Sequence, residues 1–448
     1  MIKTLTKILM VGSTFATLSP AFAEAQAPSL KMSGFTSMVG LAADQTQKQN
    51  GKGGTDPSFA ISSSDFRLTV GGKSITDFGY KYVVNFKTLP GQDPLVNRNY
   101  VEFDSNDIGS IQFGVVKGID DSMVVDTYSI LGGSGGNKGS VGDIYNYSEG
   151  VIIGTNLIGS TDTATKINWF SPKVSIAPNA GTLQIALSYT PNTSHNGKGA
   201  RDNSVVGTGI GFGNEKGFMY PGKDYAPYGL KNTVYGITYA NTIGDYTLTL
   251  NAVAVSEHSR LVMNTKGGSR QTYALNKTNS YQLSGMLSVK QWDFTGSWLD
   301  NKKSRLATAE LLNASGDTQN VTIGSVANTA PIMYLISNPN YALGNSGQSW
   351  NVGTRYSFGA YQAALGYFRT DRKTDATQKA SMDTITTTLD FKALEGLKFF
   401  GEVDYMRTKT NKTQVDGAQN YYNTQNKSQV AIGSNTGAVL MVGTKVSF

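Results

Sequence analysis

From Lys31 to Phe448 the chain repeatedly alternates apolar and polar residues with a period of two, and no segment sustains a period of 3.6. In the last stretch Ala438, Leu440, Val442, Thr444, Val446 and Phe448 share one face, with Val439, Met441, Gly443, Lys445 and Ser447 on the other. Leu183, Ile185, Leu187 and Tyr189 alternate with Gln184, Ala186 and Ser188, and Tyr246, Leu248, Leu250 and Ala252 with Thr247, Thr249 and Asn251. Tyr80, Tyr82, Val84 and Phe86 stand against Lys81, Val83, Asn85 and Lys87; Phe399, Val403 and Tyr405 stand against Phe400, Glu402 and Asp404. Successive side chains of a strand point to opposite faces, so each stretch predicts a β-strand with one apolar face.

Such stretches number about sixteen, near residues 31–43, 64–73, 77–88, 96–104, 109–116, 164–171, 181–190, 232–241, 245–256, 279–290, 291–300, 349–358, 359–370, 382–392, 396–409 and 437–448. Most approach the roughly 9 to 11 residues that a tilted membrane strand requires. Ten residues at about 3.3 Å each and a 45° tilt rise roughly 23 Å, close to an apolar band about 25 Å tall. The connections tend to alternate. Long polar segments (44–63, 117–163, 191–231, 301–348, 410–436) follow most odd strands. Tight turns such as Ser105-Asn106-Asp107-Ile108 and Phe358-Gly359-Ala360 follow most even ones. Long loops on one rim and short turns on the other predict an antiparallel transmembrane β-barrel with both chain ends on the short-turn side.

Composition supports that inversion of inside and outside. Charged residues make up only 16% of the chain, against about 25% in soluble domains. The 51 glycines of 448 residues exceed a usual share of roughly 7%. Beyond the first 23 positions no apolar run approaches the length of a membrane helix, and 23 Tyr, 19 Phe and 4 Trp argue against disorder. Backbone groups in hydrocarbon must be paired within the protein, so a sheet spans a bilayer only when it closes. Trp292, Trp298, Trp350, Tyr356, Tyr281 and Tyr239 fall near strand ends, where amphipathic rings favour the headgroup level.

The first stretch reads as a targeting segment: Lys3 and Lys7, an apolar run from Ile8 to Leu18, and the small-x-small sequence Ala21-Phe22-Ala23. Residues 1–23 are therefore expected to be a cleaved signal peptide, and 24–448 a single barrel. Removing two lysines takes the formal charge from +7 to +5. With no cysteine the exported chain has no disulfide staples or thiolate ligands, and with only His195 and His258 a multi-histidine zinc site is excluded.

Sixteen strands enclose a water-filled lumen, since eight are already filled by their own side chains. Function then depends on what narrows and charges it. Segment 117–163 carries Asp120, Asp121, Asp126, Asp143 and Glu149 and a glycine-rich centre from Leu131 to Asn137. Arg67, Lys81, Lys87 and Arg98 lie on the polar phase of the early strands. If the segment folds inward, Asp120, Asp121 and Asp126 form an acidic loop facing a basic wall of Arg67, Lys81 and Arg98. A transverse field at such a constriction orients dipolar solutes and excludes apolar ones.

The chain resembles the general diffusion porins of Gram-negative bacteria, most of all those of alphaproteobacteria. The resemblance rests on the leader, on Lys31-Met32-Ser33-Gly34-Phe35, on Ser64-Asp65-Phe66-Arg67-Leu68, on Phe113-Gly114-Val115-Val116-Lys117, and on the closing Val442-Gly443-Thr444-Lys445-Val446-Ser447-Phe448. It covers essentially the whole mature chain. It implies an inward third loop, a homotrimer in outer-membrane lipid and lipopolysaccharide, and Phe448 as the signal read by the outer-membrane assembly machinery. The long segments 191–231 and 301–348 depart from the family pattern and leave open a lid or a substrate preference.

Enzymatic readings find little support. Gly207 to Gly213 opens no predicted helix, Gly132 to Ser140 lacks the Gly-Lys-Ser/Thr ending of a phosphate loop, and both histidines fall in predicted long loops. The basic residues form no clustered stripe for nucleic acid. The expectation is a porin passing small hydrophilic solutes and ions, with no enzyme activity, no cofactor and no metal. The alternatives are a sugar- or anion-selective channel, or a non-conducting barrel whose loops bind a surface. The reading leaves sixteen or eighteen strands open, because 301–348 and 410–436 have room for weak ones.

Overall fold

The computed structural model describes residues 28–46, 58–61, 64–73, 79–88, 95–145, 164–192, 225–264, 270–302, 304, 307–312, 318–320, 347–373, 379–410 and 434–448. Residues 1–23, expected to be a leader, together with His195, the Gly207–Gly213 run and most of the long segments, lie outside the described residues.

Sixteen strands form the barrel: β1 (Ser29–Gln45), β2 (Ser64–Lys73), β3 (Gly79–Thr88), β4 (Leu95–Ser105), β5 (Gly109–Val115), β6 (Thr165–Phe170), β7 (Thr182–Asn192) and β8 (Tyr225–Ile243). They continue with β9 (Tyr246–Asn264), β10 (Thr278–Val289), β11 (Trp292–Asp300), β12 (Gly347–Phe358), β13 (Tyr361–Lys373), β14 (Lys379–Leu394), β15 (Leu397–Thr410) and β16 (Asn435–Ser447). Each pairs antiparallel with its neighbour in sequence. β16 then pairs with β1, from Phe35↔Ser447 to Gln45↔Gly437, and closes the sheet. Phe448 ends the chain beside Gly34, with backbone hydrogen bonds in both directions.

The segment 301–348 does contain strands, at Ala307–Leu312 and Thr318–Asn320, but they do not enlarge the barrel. They pair with each other and with Arg270–Leu275, while β11 and β12 bond directly to one another from Trp292↔Tyr356 to Asp300↔Gln348. The barrel has sixteen strands. β8 and β9 run longer than the alternation predicts, so the preceding long loop is shorter, and His258 stands on β9 rather than in a loop. The apolar phase fades at His258, yet the backbone ladder continues without it.

Burial is inverted relative to a water-soluble sheet. Leu283 is 52% exposed while its neighbour Gln282 is 2% exposed, and Leu389 is 50% exposed beside Thr388 at 2%. The apolar phase faces outward on a closed sheet, and the hydroxyl, amide and charged phase faces the lumen. Outward rings gather near the short-turn rim, where Trp292 meets Tyr356 at 4.6 Å and Tyr361 meets Phe391 at 4.9 Å between centroids. Nearer the loop rim Trp350 meets Tyr367 at 5.1 Å. Trp350 and Tyr356 are six residues apart on β12, about 20 Å along the strand. Tyr239 is only half-buried, and its hydroxyl donates to the Ala180 carbonyl at 3.0 Å.

A loop on the inner wall

Between β5 and β6 the chain leaves the sheet, and Val116 to Tyr145 runs along the lumen face of the barrel. Its contacts fall on inward-phase residues, which fixes the side it occupies. The first turn, α1 (Ile119–Ser122), packs on β7, β8 and β9, with Ile119 and Met123 against Ala186, Val234, Val253, Val255 and Leu299. Next, Val125 N–H donates to Ser284 Oγ at 3.3 Å and Thr127 N–H to Asn351 Oδ1 at 2.9 Å. At the far end Val141, Ile144 and Tyr145 pack on Val39, Leu41 and Ala43 of β1, Phe400 and Met406 of β15, and Val439 and Met441 of β16. The Tyr145 hydroxyl donates to the Asn435 carbonyl at 3.0 Å, and burial pushes that phenol up to about 12.

Between these two apolar anchors lies the glycine-rich tip. Gly133, Gly135 and Gly136 have φ of 58°, 103° and 65°, a backbone that side chains disfavour and that turns consecutive N–H groups to one side. Gly133 N–H donates to Asp390 Oδ1 at 2.8 Å, and Gly136 N–H donates to Glu402 Oε1 at 2.9 Å. Ser134 N–H donates to Glu402 Oε2 at 2.5 Å and its hydroxyl to Oε1 at 3.2 Å. A Cβ at Gly133 would stand 2.1 Å from Glu402 Oε2, so only glycine admits this approach. Asp390 and Glu402 belong to β14 and β15, more than 250 residues downstream of the tip.

The six residues singled out in the sequence occupy two regions. Arg67, Asn85 and Arg98 stand in one cross-strand row on the inner face of β2, β3 and β4, with Arg67 Nε 3.4 Å from Asn85 Oδ1. Lys81, one strand turn away, pairs with Glu102 at 2.6 Å. On the loop, Asp120 is buried, and Asp121 is exposed and pairs with Lys117 at 2.5 Å. Asp126 caps the turn Thr127–Ser129: its carboxylate accepts from Tyr128 N–H at 3.0 Å, and Ser129 Oγ accepts from its own N–H at 3.2 Å. The three acids thus differ in setting, and Asp121 is the one with an open carboxylate. Lys138 lies 3.9 Å from the centroid of Tyr128, which stacks on Phe368 at 4.5 Å. Burial holds the Lys138 ammonium below its ordinary value, opposed by the charges of Asp126 and Asp121.

Sequence reasoning missed Asp390 and Glu402 as the groups that hold the loop. Their signal was present: acids on the lumen phase of β14 and β15, and a glycine-rich run with backbone donors to match. What was lacking was the closure that brings them together. Among the described residues no group of His, Cys, Asp and Glu is arranged to hold a metal ion.

A closed sixteen-stranded barrel, apolar outside and polar within, with a loop laid along its inner wall, defines a membrane channel architecture. A sequence profile of the Gram-negative porins matches residues 12–412, and the chain belongs to that family. An outer-membrane location follows from the family and the barrel. An uncharacterized protein of Rickettsia bellii (strain RML369-C) is 24% identical over 291 residues, which span 64% of this chain and 57% of that relative. OmpT of Vibrio cholerae, in its trimer form, shares the fold at a TM-score of 0.50 and 11% identity, over 94% of this chain and 100% of its own. The anion-selective porin from Comamonas acidovorans gives 0.47 at 12% identity, over 94% and 100%.

Proposed function

We propose that the protein is a passive channel for small hydrophilic solutes and ions, working without covalent chemistry and as a homotrimer. The observation that carries this reading is the loop on the inner wall. Its contacts among the described residues fall on β6–β16 and β1, which leaves the basic row of β2–β4 as the facing wall. A solute crossing the lumen passes between a fixed loop with Lys117 and Asp121 on it and Arg67, Lys81 and Arg98 opposite. Fixed charges in a narrow aqueous path with low-dielectric walls focus the field and sort solutes by charge and dipole. In this reading residues 1–23 are a cleaved leader, residues 24–448 form the barrel, and Phe448 is the assembly signal.

The test is conductance of the purified mature protein in a planar bilayer under a salt gradient. Stepwise openings that close in threes are expected, and Asp121→Asn should turn the channel more anion-selective, with Asp120→Asn and Asp126→Asn as the accompanying variants. Silence from a correctly folded barrel overturns the reading and makes the long loops, as binding surfaces, the functional part.

A further inference from the structure

Two bases of the lumen wall are matched by an acid on a neighbouring strand: Lys81 by Glu102 at 2.6 Å, and Arg355 by Asp293 at 2.6 Å. One row sets three bases side by side instead. Lys392 of β14, Lys398 of β15 and Lys445 of β16 are direct cross-strand partners, Lys392↔Lys398 and Lys398↔Lys445. All three sit on the inward phase, two residues along from Asp390, Phe400 and Gly443, which form the row above. Like charges directly opposite one another on a sheet are destabilising, so three in a row is an arrangement that folding alone does not favour.

The acids near the row do not balance it. Asp390 pairs with Lys398 at 2.6 Å, but its other oxygen is taken by Gly133 N–H of the loop tip. Asp65 on β2 accepts from Asn85 Nδ2 at 3.4 Å and stands opposite Lys87. Glu395 lies in the turn between β14 and β15. The Lys445 ammonium rests 4.2 Å from the ring centroid of Phe35, and Lys392 is exposed. The row lies about 7 Å along the strands from the row that holds the loop tip, on the short-turn side.

We propose that Lys392, Lys398 and Lys445 form a binding rung for phosphorylated solutes carrying two or more negative charges, placed just beyond the loop. This rests on the reading of the barrel as an open channel. Three adjacent strands put the lysine Cα atoms within about 10 Å, a span that one or two phosphate groups can bridge. Each ammonium is a compact charge with three rotatable donors that suits phosphate oxygens. A halide gains from one ammonium at a time, whereas a dianion gains from two at once. The rung therefore retards multivalent anions and passes chloride.

The experiment measures potassium chloride current through the protein in a planar bilayer, with pyrophosphate added to the short-turn side. Wild-type current should fall reversibly as pyrophosphate rises. The double variant Lys392→Gln, Lys445→Gln should need about tenfold more pyrophosphate for the same block, and Lys392→Arg, Lys445→Arg should keep it. Equal block in wild type and the Gln variant, or chloride current with no block, overturns the rung while leaving the channel intact. Absence of chloride current overturns the channel, and the rung with it. Should the double variant fail to fold, the single exposed change Lys392→Gln decides in the same direction, and calorimetric titration of pyrophosphate into detergent-solubilised protein gives the affinity without any current.

Discussion

On β2 to β4 the inward phase carries the long bases Arg67, Lys81 and Arg98, its acids Glu102 and Asp65 are already engaged, by Lys81 and Asn85, and Arg67 is exposed to the lumen. On β11 to β16 the inward phase carries Asn351, Thr388, Asp390, Glu402 and Met441, and those residues meet the loop. The two walls share strand geometry, alternation and an apolar outer face. They differ only in what their inner phase offers: long cationic side chains on one, and short acceptors on the other. A loop with bare backbone donors adheres where acceptors are, so the distribution of acceptors around the ring decides which wall is covered. The contrast between walls is the channel's design, and it can be broken from either side.

The largest effect is expected from Glu402→Ala. Three donors of the loop tip lose their acceptor, and a buried donor left unmade costs about 1–3 kcal/mol, so the tip loses on the order of 3–5 kcal/mol. The barrel should stay folded while conductance rises and protease gains access near Ser134. Unchanged conductance and cleavage would mean the two apolar anchors hold the loop by themselves.

Gly133→Ala attacks the same contact from the loop, adding a Cβ 2.1 Å from Glu402 Oε2 to a left-handed backbone cost of about 1–2 kcal/mol. Gly135→Ala has φ of 103° but nothing within 4 Å of its new Cβ, so it carries the backbone cost alone. The difference between the two in thermal stability of the loop isolates the carboxylate contact. Equal effects would show that strain, not the wall, governs the tip.

On the facing wall, Arg67→Gln should change stability by no more than about 0.5 kcal/mol, as for an exposed position. The reversal potential under a salt gradient should nevertheless move toward cation preference. A large loss of stability there would make that arginine part of the scaffold.

The smallest effect is a titration. Tyr145 has its phenol raised to about 12 from an ordinary value of 10.0, chiefly by burial. A raised value in the folded state means that the stabilisation is fully present below pH 10 and is lost as pH rises through about 12. Tyrosinate absorbance should show one late-titrating residue that disappears in Tyr145→Phe. Its loss below pH 10 would place the loop's far end in water.

Strand positions were legible because the signal is local. The run from Ala438 to Phe448 declares its two faces through side-chain chemistry alone, and the same holds for β7, β9 and β15. The ends of β8 and β9 were not legible: beyond the membrane both faces meet water, so alternation stops while backbone pairing continues. Asp120, Asp121 and Asp126 look equivalent in sequence, and the fold buries Asp120, pairs Asp121 with Lys117 and spends Asp126, also buried, on a cap.

What the sequence by itself determined is the barrel: the period of two, the strand lengths and the loop rhythm are local or nearest-neighbour properties, and hydrocarbon leaves a sheet no alternative to closure. What only the tertiary structure decided is the interior. Gly133 and Asp390 are 257 residues apart, and Lys392 and Lys445 reach one row through a third strand between them. Closure and register set those meetings, and a one-residue slip along any strand would turn its inner face outward.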